Sequence, residues 1–300
     1  MSLRVYLSGV FSRPYLLIPG GGGMNIYLAG GISGNLSSLW KSSIGGGKMK
    51  IYLAGGYPVK NGSQSQVLAG GGQHLILESY YYARNNQWIE KIIPKLDDFM
   101  LDSGAFTAKQ GNAGTNINWD AYTEEYADFI KRNKVKKFIE LDIDRIVGLK
   151  EVERLRNKLE GLVGRQSIPV WHLSRGKDYY LGMCRDYKYI AIGGLVKDNQ
   201  DIFPEKYFPW FINRAHEAGV KLHGLGYTSL SGLYTYHFDS VDSTAWLYGN
   251  RGGYLYKFNE VTGEMEKIDK QEGKRLKSTE AAIHNYREWQ KFQQYAIKNL

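Results

Sequence analysis

Residues 99–106 read FMLDSGAF. Phe99, Met100 and Leu101 suit a half-buried strand, the run ends on Asp102, and Ser103-Gly104 has the composition of a tight turn. The same design returns in FIELDID at 138–144, IAIGGLV at 190–196 and HFDSVDSTAW at 237–246, each an apolar run that ends in glycine or an acid. One Asp before Ser-Gly is ordinarily a turn former. Four such strand ends, separated by helical patterns, describe a parallel sheet with crossover helices whose polar strand ends gather on one face.

The intervening segments carry the helical period. Asn118 can cap a helix over 119–132 in which Trp119, Tyr122, Tyr126 and Ile130 share a face. Val152, Leu155 and Leu159 do the same within 151–160, and further helices are expected over 178–185 and 205–218. From Ile76 a short strand enters a helix bearing Tyr80, Tyr81, Trp88 and Ile89. Strands are expected at 137–142, 168–173, 189–192 and 221–226. After them come a hairpin turning at Thr262-Gly263 and a long helix from residue 278 with Ile283, Tyr286, Trp289, Phe292 and Ala296 as its packing stripe. No GxGxxG or P-loop marks a doubly wound nucleotide site, so the predicted fold is α/β of the TIM-like (β/α)8 barrel type.

The first part of the chain is unusual. IYLAGG at 26–31 recurs letter for letter at 51–56, and VYLSG at 5–9 is a degenerate third copy, at spacings of 21 and 25 residues. A barrel has room for one first strand. The copy at 51 runs directly into the domain and takes that role, so residues 1–48 read as a Gly-rich duplicated extension and 49–300 as the barrel with its C-terminal hairpin and helix.

At 300 residues the chain is long enough for one such barrel with additions. Lys and Arg exceed Asp and Glu by 39 to 30, a net charge of +9 that favours a polyanionic partner such as nucleic acid. The single cysteine, Cys184, excludes an internal disulfide and a multi-cysteine zinc site, and fits a reducing, cytoplasmic setting. No apolar run reaches the roughly 20 residues that span a bilayer, so no membrane partner is expected.

In order along the chain, LDSGAF, LD, GGL, LHGLG and FDSVD resemble the tRNA-guanine transglycosylase family, most of all its short phage members that place a 7-deazaguanine base into DNA. The match spans residues 101–242 and rests on the order of five motifs. It implies base exchange through a covalent Asp-glycosyl intermediate, without a cofactor. By position Asp242 matches the nucleophile and Asp102 the general acid/base. Ser103 and Phe106 lie in the same motif, Phe106 at the position that stacks on the base. Asp142 matches the acid that reads the guanine edge, Gly193, Gly194 and Leu195 match the backbone lining the base pocket, and Arg251 parallels a phosphate-contacting loop.

The chain also departs from the family. Members acting on tRNA carry a C-terminal zinc subdomain with three cysteines and a histidine, which one cysteine cannot build. DNA is therefore expected ahead of tRNA as the polymer, with a preQ0-like 7-deazaguanine as the incoming base. Where the family reads the base with Gln, this sequence has VWHLSRG, which makes His172 the candidate. No metal ligands are assigned. A homodimer or accessory protein is left open, as is a host cytoplasm should the chain be phage-encoded. The alternatives are tRNA modification of the queuosine or archaeosine type and a non-catalytic nucleic-acid-binding barrel.

Overall fold

The computed structural model describes residues 5–7, 26–28, 49–55, 72–111, 117–195, 205–227, 229–247, 254–269 and 278–300, with the side chains of residues 5–7, 26–28, 106, 110, 269, 278 and 279 outside that set. The chain divides into two units, residues 1–46 and 47–300. In the first unit, Val5–Leu7 (β1) and Ile26–Leu28 (β2), the first two copies of the repeat, pair in parallel with Tyr6 opposite Tyr27.

The third copy becomes Lys50–Ala54 (β3) of the second unit and leads into Leu75–Ser79 (β4), Asp98–Asp102 (β5), Lys137–Phe138 (β6), Val170–Trp171 (β7), Tyr189–Ile192 (β8), Lys221–Gly224 (β9) and Ser240–Ser243 (β10). These eight strands form one sheet in the order β6-β5-β4-β3-β10-β9-β8-β7, and each of the seven pairings is parallel. That order is chain order read around a circle, with β10 beside β3. The sheet is curled and TIM-like. At its two edges Ile139 and Ile168 form a parallel bridge, with Glu140 N–H donating to the Ile168 carbonyl (3.0 Å) and Ile168 N–H to that of Phe138 (2.8 Å).

Alternation along the strands sorts the side chains to two faces. Tyr52, Ala54, Leu75, Leu77, Met100, Ile139, Ile168, Val170 and Ala191 pack together on the inner side. Leu53, Ile76, Leu101, Ile190 and Val241 point outward and pack with helix residues such as Tyr126, Leu155, Tyr180 and Phe211. On β5 this sets Asp98, Met100 and Asp102 on the inner face, with Asp98 at the start of the strand and Asp102 at its end.

The expected helix over 119–132 is present as Trp119–Arg132, capped by the Asn118 side chain, which accepts from Ala121 N–H at 3.1 Å. The helix expected after residue 76 is broken. Tyr80–Ala83 is separated from Gln87–Ile92 because Asn86 caps the second piece by accepting from Trp88 N–H. The strands expected at 137–142 and 168–173 are only two residues each: the Val170 N–H goes to the Glu140 side chain, Pro169 brings no N–H to the β8 side, and Leu173–Arg175 turns at once into a 3-10 helix.

The hairpin, Tyr254–Asn259 (β11) against Glu264–Asp269 (β12), is antiparallel, with Gly263 at φ +74° in its turn. Ser278–Asn299 packs Tyr286, Trp289, Phe292 and Ala296, each at most 2% exposed, into the core. The same helix supplies buried polar groups that satisfy orphan backbone. Asn285 accepts from Tyr256 N–H (2.8 Å) and Glu288 from Phe258 N–H (2.7 Å), which closes the free edge of β11. Gln293 donates to the carbonyls of Ile51 (2.6 Å) and Leu75 (3.0 Å), below the first β3–β4 pair, Leu53 with Ile76. Among the described residues no helix is long and apolar enough to cross a membrane.

Candidate functional site

Asp102 ends β5 and Asp242 lies in β10, while Asp142 stands four residues beyond β6 and His172 directly follows β7. In a curled parallel sheet all four stand at the C-terminal rim, where strand ends converge. The surroundings of Asp102 are tightly fixed. Its carboxylate accepts from Gly104 N–H (3.1 Å), and Gly104, at φ +63°, has no room for a Cβ, which would collide with Ser79 Oγ and Tyr81. Tyr122 of the following helix donates to the Ser103 carbonyl (2.7 Å), and the Tyr126 hydroxyl lies 3.0 Å from the carbonyls of both Leu101 and Ile139. The helical face legible in the sequence thus pins the strand end that carries the acid.

Burial pushes the Asp102 carboxyl up to about 7, and the charge on Asp142 adds to this. The Gly104 N–H works the other way, and Asp242 adds a further upward push. Asp102 is therefore poised to give or take a proton near neutrality. Ser103 is 1% exposed, and its hydroxyl lies 3.5 Å from Ala105 N at the start of the next helix, so it contributes to the turn.

Asp142 accepts from His172 Nε2 at 2.6 Å. Burial acts against a charge on His172, but the Asp142 carboxylate outweighs it and holds the imidazole above its ordinary range. A second layer fixes this pair. Glu140, fully buried, accepts from Val170 N–H (2.7 Å) and from Arg156 (3.0 Å), and Arg175 lies 3.1 Å from it while clasping Asp144 through two hydrogen bonds of 2.6 and 2.5 Å. Those contacts tie the segment after β6 to β7. Gly193 completes the fit, since a Cβ there would strike the His172 ring and Val170 Cγ1. Gly194 follows at φ +74°, and Leu195 is 8% exposed.

Asp242 is 6% exposed. Its Oδ1 accepts from Gly226 N–H (2.6 Å) and from His223 Nε2 (3.2 Å). Asp239, in the same motif, lies just before β10 at the opposite end, where it accepts from Leu222 N–H (2.8 Å) and His216 (2.9 Å). The structure thus brings Asp102, Asp142, His172 and Asp242 to one rim and leaves Asp239 outside it. Arg251 lies outside the described residues, as does the Phe106 side chain, whose backbone begins the helix Ala105–Gly111.

His223 and the Gly226 amide were not singled out in the sequence. LHGLG stood out for its glycines, yet strand alternation after outward-facing Leu222 was a sufficient signal that His223 turns inward. Among the described residues no cluster of His, Cys, Asp and Glu has the arrangement to hold a metal ion. No protein-family model matches the chain, and no curated protein matches it.

Proposed function

We propose that the protein is a base-exchange transglycosylase of the tRNA-guanine transglycosylase type that replaces guanine in DNA with a 7-deazaguanine, on a full (β/α)8 barrel completed at the Ile139–Ile168 bridge. One observation carries the reading: the convergence of Asp102, Asp142 and Asp242 at one rim, close enough that the charges of the other two add to the burial that raises the Asp102 carboxyl to about 7. Carboxylates gathered in this way cost stability, and a barrel that only bound nucleic acid would have no use for them.

In the proposed reaction Asp242 attacks C1′ of the nucleotide. The C1′–O bond forms as the bond from C1′ to guanine breaks, and the departing base takes the electron pair together with a proton from Asp102. An incoming 7-deazaguanine then gives its proton back to Asp102 and attacks C1′, which frees the Asp242 carboxylate and retains configuration. Asp142 and the raised His172 form the acceptor and donor for the edge of the base. A guanine inside a duplex must leave the stack before its C1′ is reachable.

The test is incorporation of labelled guanine and of a labelled 7-deazaguanine into DNA and into unmodified tRNA, with Asp242→Asn alongside. Label entering DNA, and only with Asp242 intact, is the expected result. Label in tRNA alone moves the protein to tRNA modification, and no label in either polymer together with no denaturation-resistant adduct overturns the reading.

A further inference from the structure

His223 is fully buried, stands on β9 beside β10 and makes two polar contacts, one from each ring nitrogen. Nε2 lies 3.2 Å from Asp242 Oδ1 and Nδ1 2.6 Å from Ser240 Oγ. Ser240 Oγ in turn lies 2.5 Å from the Tyr189 hydroxyl. These side chains form a chain running from inside the sheet to the rim, and the Tyr52 ring packs edge-on against the imidazole at 6.2 Å.

Burial raises the Tyr189 phenol, which keeps its proton. Ser240 Oγ has one proton and two lone pairs, so it can accept from Tyr189 and still either donate to Nδ1 of His223 or accept from it. The arrangement that gives each proton of the chain its own acceptor has Tyr189 donating to Ser240 and Ser240 to Nδ1, which leaves the one imidazole N–H on Nε2, facing Asp242. Gly226 N–H meets the same oxygen, Oδ1, and among the described residues no hydrogen bond is made to Oδ2.

We propose that His223 is a positioning residue that, with the Gly226 amide, ties down one oxygen of Asp242 and leaves Oδ2 as the atom presented for attack. The proposal rests on the base-exchange reading for its catalytic consequence, but the tautomer is a property of the resting protein. A side chain that holds the nucleophile in one rotamer acts on the chemical step and not on binding, so its loss lowers kcat and spares KM.

The experiment has two arms on the full chain. In the first, 15N spectra of histidine-labelled protein are recorded for the wild type, for His223→Gln to identify the signal, and for Ser240→Ala. The wild type is expected to show His223 as the neutral Nε2–H tautomer, and Ser240→Ala to mix the tautomers. A doubly protonated or Nδ1–H imidazole overturns the proposal whatever the activity. In the second arm, exchange kinetics compare His223→Leu, which has no donor, with His223→Gln, which keeps an N–H near the Nε2 position. Loss of kcat of about 100-fold in the first, recovery to within about tenfold of wild type in the second, and KM within twofold throughout are expected. Equal loss in both variants with unchanged melting temperatures, or full activity of His223→Leu, overturns the positioning role. Wild-type protein inactive on both polymers while its spectrum shows the Nε2–H tautomer retires the base-exchange reading and the catalytic half of the proposal, and upholds the hydrogen-bond assignment.

Discussion

Asp98 and Asp102 sit on the same face of the same strand, four residues apart, and the protein treats them in opposite ways. At the start of β5, Asp98 accepts from Lys50 (2.6 Å), Lys137 (2.5 Å) and the Tyr52 hydroxyl (2.9 Å). Burial works against its charge, but the two ammonium groups outweigh it and hold the carboxyl below its ordinary range. At the end of β5, burial and neighbouring acids push Asp102 up, with only the backbone N–H groups of Gly104 and Ser103 to relieve it. One end of the sheet neutralises its acid. The other concentrates acids with no lysine or arginine bonded to Asp102, Asp142 or Asp242 among the described residues. The two ends of a TIM-like sheet divide in this way between stability and chemistry.

Substitutions at the rim should break this contrast most strongly. Asp242→Asn removes the proposed nucleophile while keeping the acceptor for Gly226 N–H. Exchange should fall by about a thousandfold or more, with nucleic-acid binding within about twofold of wild type, read by labelled-base incorporation and by fluorescence anisotropy. Activity retained by this variant would remove Asp242 from the mechanism. Asp102→Asn should cost about 100-fold to 1000-fold in exchange and remove the limb of the pH–rate profile near neutrality, since an amide neither gives nor takes the proton. A profile that keeps that limb would assign the proton to another group.

Much of this contrast was legible in the sequence. The apolar run into Asp102, the Ser-Gly turn and the helical face of Tyr122 and Tyr126 gave the strand, its end and the helix that fastens it. Asp142 was also legible, as the end of an apolar run, whereas His172 came into view only through the family resemblance. Their 2.6 Å contact was not legible, since the residues lie thirty apart and only the curl of the sheet brings them together. Asp98 and Asp239 read much like their rim counterparts, and what separates them is which end of the strand they occupy. His223 was missed for a different reason: LHGLG drew notice for its glycines, and the alternation that turns His223 inward after Leu222 is a single step in a strand of four residues. Gln293, which donates to Ile51 and Leu75, lies beside the stripe read as purely apolar, and its value depends on two strands that splay below their first pair.

The opposite end should respond in stability, not in chemistry. Asp98→Ala leaves Lys50 and Lys137 facing one another, with side chains 42% and 26% exposed. Water reaches both in part, so the loss should be smaller than for a fully buried pair, about 2 kcal/mol in urea unfolding, with kcat of the folded fraction unchanged. A loss of kcat without a loss of stability would show that the two ends are coupled. Tyr52 is the route by which that could occur, since its hydroxyl bonds Asp98 while its ring packs on His223.

The last effect sharpens the comparison because its sign is unusual for a site substitution. The Asp102 carboxyl titrates at about 7 in the folded protein against 3.8 for an ordinary Asp. Between those values the native state holds a proton that the unfolded chain has released, so stability from this group is full below the unfolded value and is lost as pH rises through the folded one. Asp98 has the reverse sign, stabilising above the ordinary carboxyl range and losing that contribution as pH falls. Asp102→Asn keeps an acceptor for Gly104 N–H but cannot ionise. It should therefore gain on wild type steadily as pH rises through this window, by about 2 to 3 kcal/mol more at pH 8 than at pH 5, even as exchange is lost. Urea unfolding of both proteins at the two pH values measures this directly. An Asn variant that gains nothing on wild type between pH 5 and pH 8 would mean that the carboxylate is held by a favourable partner at the rim, and the contrast between the two ends of β5 would fail.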